Sequence, residues 1–124
     1  MCSSDLSIAP GKRVFTSMAP MMAVREGRLV FALSLPGGLR IFPSAFQAIV
    51  NLIDHGMSLQ EAVEAPRFAT HSFPDSFEPH RYQPGWLNLE SRLPRATGEA
   101  LAALGHDVHW WPDYVWREIG RAHV

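Results

Sequence analysis

The stretch Ser34-Leu35-Pro36-Gly37-Gly38-Leu39-Arg40-Ile41 constrains the fold most, because it ends one apolar run and leads into another of different period. Before it, Leu29-Val30-Phe31-Ala32-Leu33 has no polar interruption, as expected of a strand buried on both faces. After it, from Ser44, the apolar residues Phe46, Ile49, Val50 and Ile53 recur at helical spacing until Gly56 stops the helix. Proline cannot donate to a ladder, and glycine reaches backbone conformations closed to other residues, so Pro36-Gly37-Gly38 must break the strand. Two glycines at a strand-to-helix junction can also bare their N–H groups to a bound oxygen.

The rest of the chain is arranged around this junction. Pro10-Gly11-Lys12-Arg13 reads as a turn, and Val14 to Pro20 as an extended segment containing the hydroxyl pair Thr16-Ser17. Met22–Arg25 and Leu29–Leu33 form a hairpin across Glu26-Gly27. A second helix starts at Ser58, a good N-cap, with Glu61 three residues on completing a capping box, and ends before Pro66. Phe68 to Pro84 reads as a proline- and histidine-containing loop. Trp86–Glu90 alternates apolar and polar like a strand, Ala96–Leu104 is a helix closed by Gly105, and Val108–Trp111 is a last strand. This order predicts a mixed α/β (α+β) fold with predominantly antiparallel pairing, in one domain for 124 residues that are 47% hydrophobic.

Several function classes are disfavoured by composition. The net charge is -1 and the basic residues are scattered, so no patch points to nucleic acid. The longest apolar runs, Leu29–Leu33 and Phe46–Ile53, fall far short of the roughly 20 residues a bilayer requires. His106 and His109 straddle an extended segment with no third ligand in reach, so neither a metal nor a cofactor is expected. His55, His71 and His80 read as loop residues without partners, and Glu61 and Glu64 as members of a solvated face.

The termini are read apart from the fold. Cys2-Ser3-Ser4-Asp5-Leu6 can be encoded TGC-TCT-TCC-GAT-CT, and Ile119-Gly120-Arg121-Ala122-His123 can be encoded ATC-GGA-AGA-GCA-CAC, essentially the reverse complement. Residues 1–6 and 118–124 are therefore expected to be translated sequencing adapter, leaving 7–117 as natural sequence cut at both ends. The one cysteine, Cys2, then belongs to the adapter and supports no disulfide, metal or nucleophile argument.

Paired N–H groups at Gly37 and Gly38 suit an oxyanion, since preorganised donors stabilise developing negative charge better than water does. Thr16 and Ser17 suit a carboxylate. Taken singly, each is also an ordinary turn or an ordinary strand pair, and Arg40 an ordinary salt-bridge partner.

Their company is more specific. Pro10-Gly11-Lys12-Arg13, Thr16-Ser17-Met18-Ala19-Pro20, Pro36-Gly37-Gly38-Leu39-Arg40-Ile41, Gln47, Asn51, Gly56 to Val63 and Ala65-Pro66-Arg67 together resemble the γ-glutamyltransferases, in the C-terminal part of their small subunit. The likeness is strong from Pro10 to Phe68 and fainter beyond. It implies part of an N-terminal nucleophile hydrolase, an αββα sandwich with antiparallel sheets. In that family a precursor cleaves itself, and the newly exposed N-terminal threonine attacks the γ-glutamyl carbonyl of glutathione or a related compound. The acyl-enzyme then passes its acyl group to water, an amino acid or a peptide.

By the resemblance, Gly37 and Gly38 take the oxyanion role, while Thr16 and Ser17 match the paired serines that bind the substrate's α-carboxylate. Thr16 adds a methyl group, and Ser34, Leu35 and Leu39 depart from a commoner Gly-Ser before the turn and a polar residue after it. The nucleophilic threonine and the residues for the substrate amine lie upstream in the family, and the large subunit supplies an arginine. The chain alone is thus expected to be inactive, with open strand edges. Periplasmic, secreted or membrane-anchored relatives supply only an analogy for its compartment. Two other readings stand beside this one: a noncatalytic α/β binding module and, within the family, a β-lactam side-chain acylase, for which Leu39 is the position to watch.

Overall fold

The computed structural model describes residues 9–13, 18–75, 79–114 and 121–123. In chain order these form β1 (Met21–Arg25), β2 (Arg28–Ser34), a 3-10 turn (Gly38–Arg40), α1 (Ile41–Ile53), α2 (Leu59–Glu64), β3 (Phe68–Thr70), β4 (Trp86–Glu90), α3 (Arg95–Ala103), β5 (Asp107–Trp111) and β6 (Arg121–His123). One sheet has the order β1-β2-β6 and the other β3-β4-β5. Three of the pairings are antiparallel; β4 and β5 run parallel, connected through α3. β6 falls within the terminal segment set apart on sequence grounds.

The hairpin forms where it is expected, at Glu26 and Gly27, both of which adopt positive φ (51° and 75°) as a two-residue primed turn requires. Its register pairs Met21 with Leu33, Met22 with Ala32 and Ala23 with Phe31, then slips at a bulge between Ala23 and Val24. β2 is not buried on both faces. Phe31 and Leu33 are buried while Leu29, Val30 and Ser34 are exposed, because only one face of this sheet is covered among the described residues.

That covered face builds the core. Phe31, Leu33 and Leu35 pack against Ile41, Ala45 and Ala48 of α1, with Leu59 and Val63 of α2 alongside. The helix begins at Ile41, three residues before the predicted Ser44, and Pro43 sits in its first turn, where a missing N–H breaks no helical bond. Of the apolar residues that recur at helical spacing, Ile49 packs against the core. Ile41, Ser44, Ala45 and Ala48 face the core, whereas Phe46 is 58% and Ile53 67% exposed. The small residues let the helix approach the sheet, and the large ones lie away from it.

α2 has the capping box read from sequence: Glu61 N donates to Ser58 Oγ (3.3 Å), and Ser58 N donates to Glu61 Oε2 (2.8 Å). β3 was expected to be loop; it is a short strand pairing Phe68 with Leu89 and Thr70 with Leu87. β4 forms at Trp86–Glu90 as expected, and as the central strand of its sheet it has Leu87, Asn88, Leu89 and Glu90 all buried, the polar residues included. The buried amide of Asn88 accepts a bond from Trp86 Nε1 at 3.1 Å. Among the described residues no helix is long and apolar enough to cross a membrane.

Candidate functional site

Gly37 (φ 135°) and Gly38 (φ 59°) form the link from β2 to α1, both in the region that side chains disfavour. Their carbonyls are used locally: Arg40 N donates to Gly37 O at 3.1 Å, and Ile41 N donates to Gly38 O. Among the described residues no acceptor takes the N–H of either glycine. The turn stands at the N-terminal end of the 13-residue α1, where the helix dipole is positive. A carbonyl oxygen gaining negative charge would meet backbone donors and a favourable field there.

Thr16 and Ser17 lie outside the described residues. Met18–Pro20 leads into β1, and Met21 stands opposite Leu33. The chain entering β1 and the chain leaving β2 toward Gly37 therefore share one end of the hairpin.

Two histidines expected to lack partners have them. His71 lies edge-on to Trp86, with ring centroids 6.4 Å apart. Burial lowers its pKa, the charge of Arg40 lowers it further, and Asp75 opposes both. His71 thus lies within electrostatic reach of Arg40, two residues past Gly38. His80 Nδ1 is 2.8 Å from Asp75 O. His109 stacks on Trp86 at 3.5 Å, with its Nε2 3.0 Å from Asp107 Oδ2. Among the described residues no group of three or more His, Cys, Asp or Glu side chains is placed to hold a metal.

A buried polar cluster around Glu90 has no counterpart in the sequence reading. Glu90, 2% exposed, accepts from Arg92 Nε (2.5 Å) and Tyr114 N (3.0 Å) on one oxygen and from Arg67 N (3.1 Å) on the other. Burial pushes its pKa up, but these donors and the Arg92 charge together hold it below the usual carboxylate value. Arg67, itself buried, donates to Val63 O through Nη2, and desolvation lowers its pKa against the attraction of Glu90. Arg92 also lies over the Tyr114 ring, 3.9 Å from its centroid. Arg67 stands in the motif Ala65-Pro66-Arg67, which is the available signal; Glu90 carries none beyond its place in a strand. A groove of about 470 Å³ runs between the hairpin and the C-terminal half of α1, past Val24, Val30, Leu52 and Ile53. It lies away from the glycine turn and is largely apolar.

Comparison with known proteins places this geometry in context. Residues 3–123 match the family described as Gamma-glutamyltranspeptidase. The chain is 66% identical over 103 residues to the Acylase ACY 1 proenzyme of Pseudomonas sp. (strain V22), a match covering 83% of the chain and 16% of that protein. It is 34% identical over 96 residues to the Glutathione hydrolase proenzyme of Escherichia coli (strain K12), covering 77% of the chain and again 16% of the relative. Among solved structures, a mutant Helicobacter pylori gamma-glutamyltranspeptidase superposes with a TM-score of 0.70 at 28% identity, over 93% of this chain and 54% of that one. The chain thus spans about a sixth of the length of these curated relatives, and its mixed fold with antiparallel pairing is the one found in this N-terminal nucleophile hydrolase family.

Proposed function

Since the chain belongs to the gamma-glutamyltranspeptidase family, we propose that it is a segment of a self-cleaving N-terminal nucleophile hydrolase, and that it supplies the oxyanion site of an acyl-transfer reaction. In this reading an N-terminal threonine elsewhere in the protein attacks the amide carbonyl of the substrate. The N–H groups of Gly37 and Gly38 take up the charge that develops on the carbonyl oxygen. Thr16 and Ser17 bind a substrate carboxylate. The acyl-enzyme is released to water, an amino acid or a peptide. The observation that carries the reading is the turn itself, with two positive-φ glycines at the start of α1 whose N–H groups have no acceptor among the described residues.

Two acyl groups compete for the role of substrate. A γ-glutamyl group, as in glutathione, follows from the family as a whole and from the likeness to glutathione hydrolase proenzymes. An acylase acting on β-lactam side chains is favoured by one observation: identity to the Pseudomonas acylase proenzyme is 66%, against 34% to the Escherichia coli glutathione hydrolase proenzyme. The departure at Leu39 adds weight, since an apolar residue directly after the glycines suits a less polar acyl group.

The test begins with the uninterrupted gene around this segment. The encoded protein is expected to cleave itself and then to release an acyl group from a γ-glutamyl anilide or a β-lactam side-chain amide. A higher kcat/KM for the β-lactam amide selects the acylase reading, and the reverse selects the γ-glutamyl reading. A self-cleaved protein that turns over neither would overturn both.

A further inference from the structure

One side chain joins α1 to the second sheet by a matched pair of hydrogen bonds. Gln47 Nε2 donates to Phe68 O at 3.0 Å, and Phe68 N donates to Gln47 Oε1 at 3.1 Å. The carboxamide thus stands where the peptide group of a neighbouring strand would, on the outer edge of β3. Gln47 Nε2 is also 3.1 Å from Pro43 O, in the first turn of α1. A single amide therefore connects the edge of one sheet to the first turn of α1, which the 3-10 turn Gly38–Arg40 joins to Gly37. Another side-chain bond from α1 to a later element, Asn51 Nδ2 to Ala62 O at 3.4 Å, lies further along the helix and reaches α2.

We propose that Gln47 is a positioning residue for the acyl-transfer reaction, holding the first turn of α1 against β3 so that the N–H groups of Gly37 and Gly38 stay aimed at the reacting carbonyl oxygen. The inference rests on the oxyanion reading above. Movement of the first turn of α1 passes directly to the glycines, because Ile41 N and Arg40 N bond to their carbonyls. Substrate binding through other residues would be spared. A displacement of about 1 Å at a reacting centre can cost on the order of 100-fold in rate, so a change without contact to substrate can still register in kcat.

The test uses the complete, self-cleaved enzyme, with processed enzyme counted by active-site titration and kcat and KM measured on whichever amide the wild type turns over. Gln47→Met is expected to lower kcat roughly 10- to 100-fold while KM stays within about twofold. Joined to Gly38→Ala, it should cost little beyond Gly38→Ala alone, since both act through one group of donors. Gln47→Glu supplies a second variant should Gln47→Met not fold. Its neutral carboxyl can donate to Phe68 O and accept from Phe68 N, so its kcat relative to wild type should rise as pH falls through the carboxyl range. Unchanged kcat in processed Gln47→Met, losses that simply multiply with those of Gly38→Ala, or a flat pH ratio for Gln47→Glu would each overturn the inference. Loss of the oxyanion reading shows differently, as a Gly38→Ala enzyme that keeps the wild-type kcat.

Discussion

At Glu90 two opposing effects act on one carboxylate. Burial favours the neutral acid, yet the Arg92 guanidinium and the backbone N–H groups of Tyr114 and Arg67 favour the ionised form and prevail. The folded-state pKa lies below that of the unfolded chain, so the stabilisation is complete above the unfolded carboxyl range and is lost as pH falls through the folded value. Glu90→Gln should therefore cost about 3 kcal/mol near neutral pH, by leaving buried positive charge uncompensated. It should also flatten the acid limb of stability. Denaturant melts of both proteins across pH check this, and parallel curves would contradict it. The donors to Glu90 come from positions 2, 23 and 24 residues away. That is why a cluster this tight left no local pattern to read, whereas Gly37, Gly38 and the Ser58–Glu61 box act through their immediate neighbours and were legible.

Among the elements, legibility followed the same division between local and long-range causes. The hairpin and α2 are set by a two-residue turn and a cap, and they stand where the sequence put them. The burial of β2 and the inward side of α1 depend on which surfaces meet. There the small residues Ser44, Ala45 and Ala48 prevailed over the more conspicuous Phe46 and Ile53. β3 escaped notice because three residues beside Pro66 show no period, and its edge is held by the side chain of Gln47. In α3, Gly98 looks like a weak point by helix propensity, but a Cβ there would lie 2.3 Å from Trp110 Cζ2. Trp110 is in turn held from its ring face by Arg95, 4.1 Å from the centroid. Gly98→Ala would gain about 1 kcal/mol of helix propensity, but the clash should outweigh it and leave a net loss of about 1–2 kcal/mol. A thermal melt reads the sign, and a rise in Tm would show that Trp110 moves aside freely.

For the whole molecule, the described residues leave apolar surface uncovered. Phe42, Phe46 and Ile53 lie exposed on α1, and Met22, Val24 and Leu29 on the hairpin. Surfaces of this kind call for cover, and the proenzymes of which the chain spans 16% have the length to provide it. The chemistry proposed for the Gly37-Gly38 turn likewise needs a nucleophile from outside these residues. The most direct measurement is kcat and KM for wild type and Gly38→Val in the complete, self-cleaved enzyme, using the amide the wild type prefers. A bulky side chain at φ 59° should distort the donor pair, lowering kcat on the order of 100-fold, as for loss of one oxyanion donor, while KM changes little. A Gly38→Val enzyme with wild-type kcat would contradict the account.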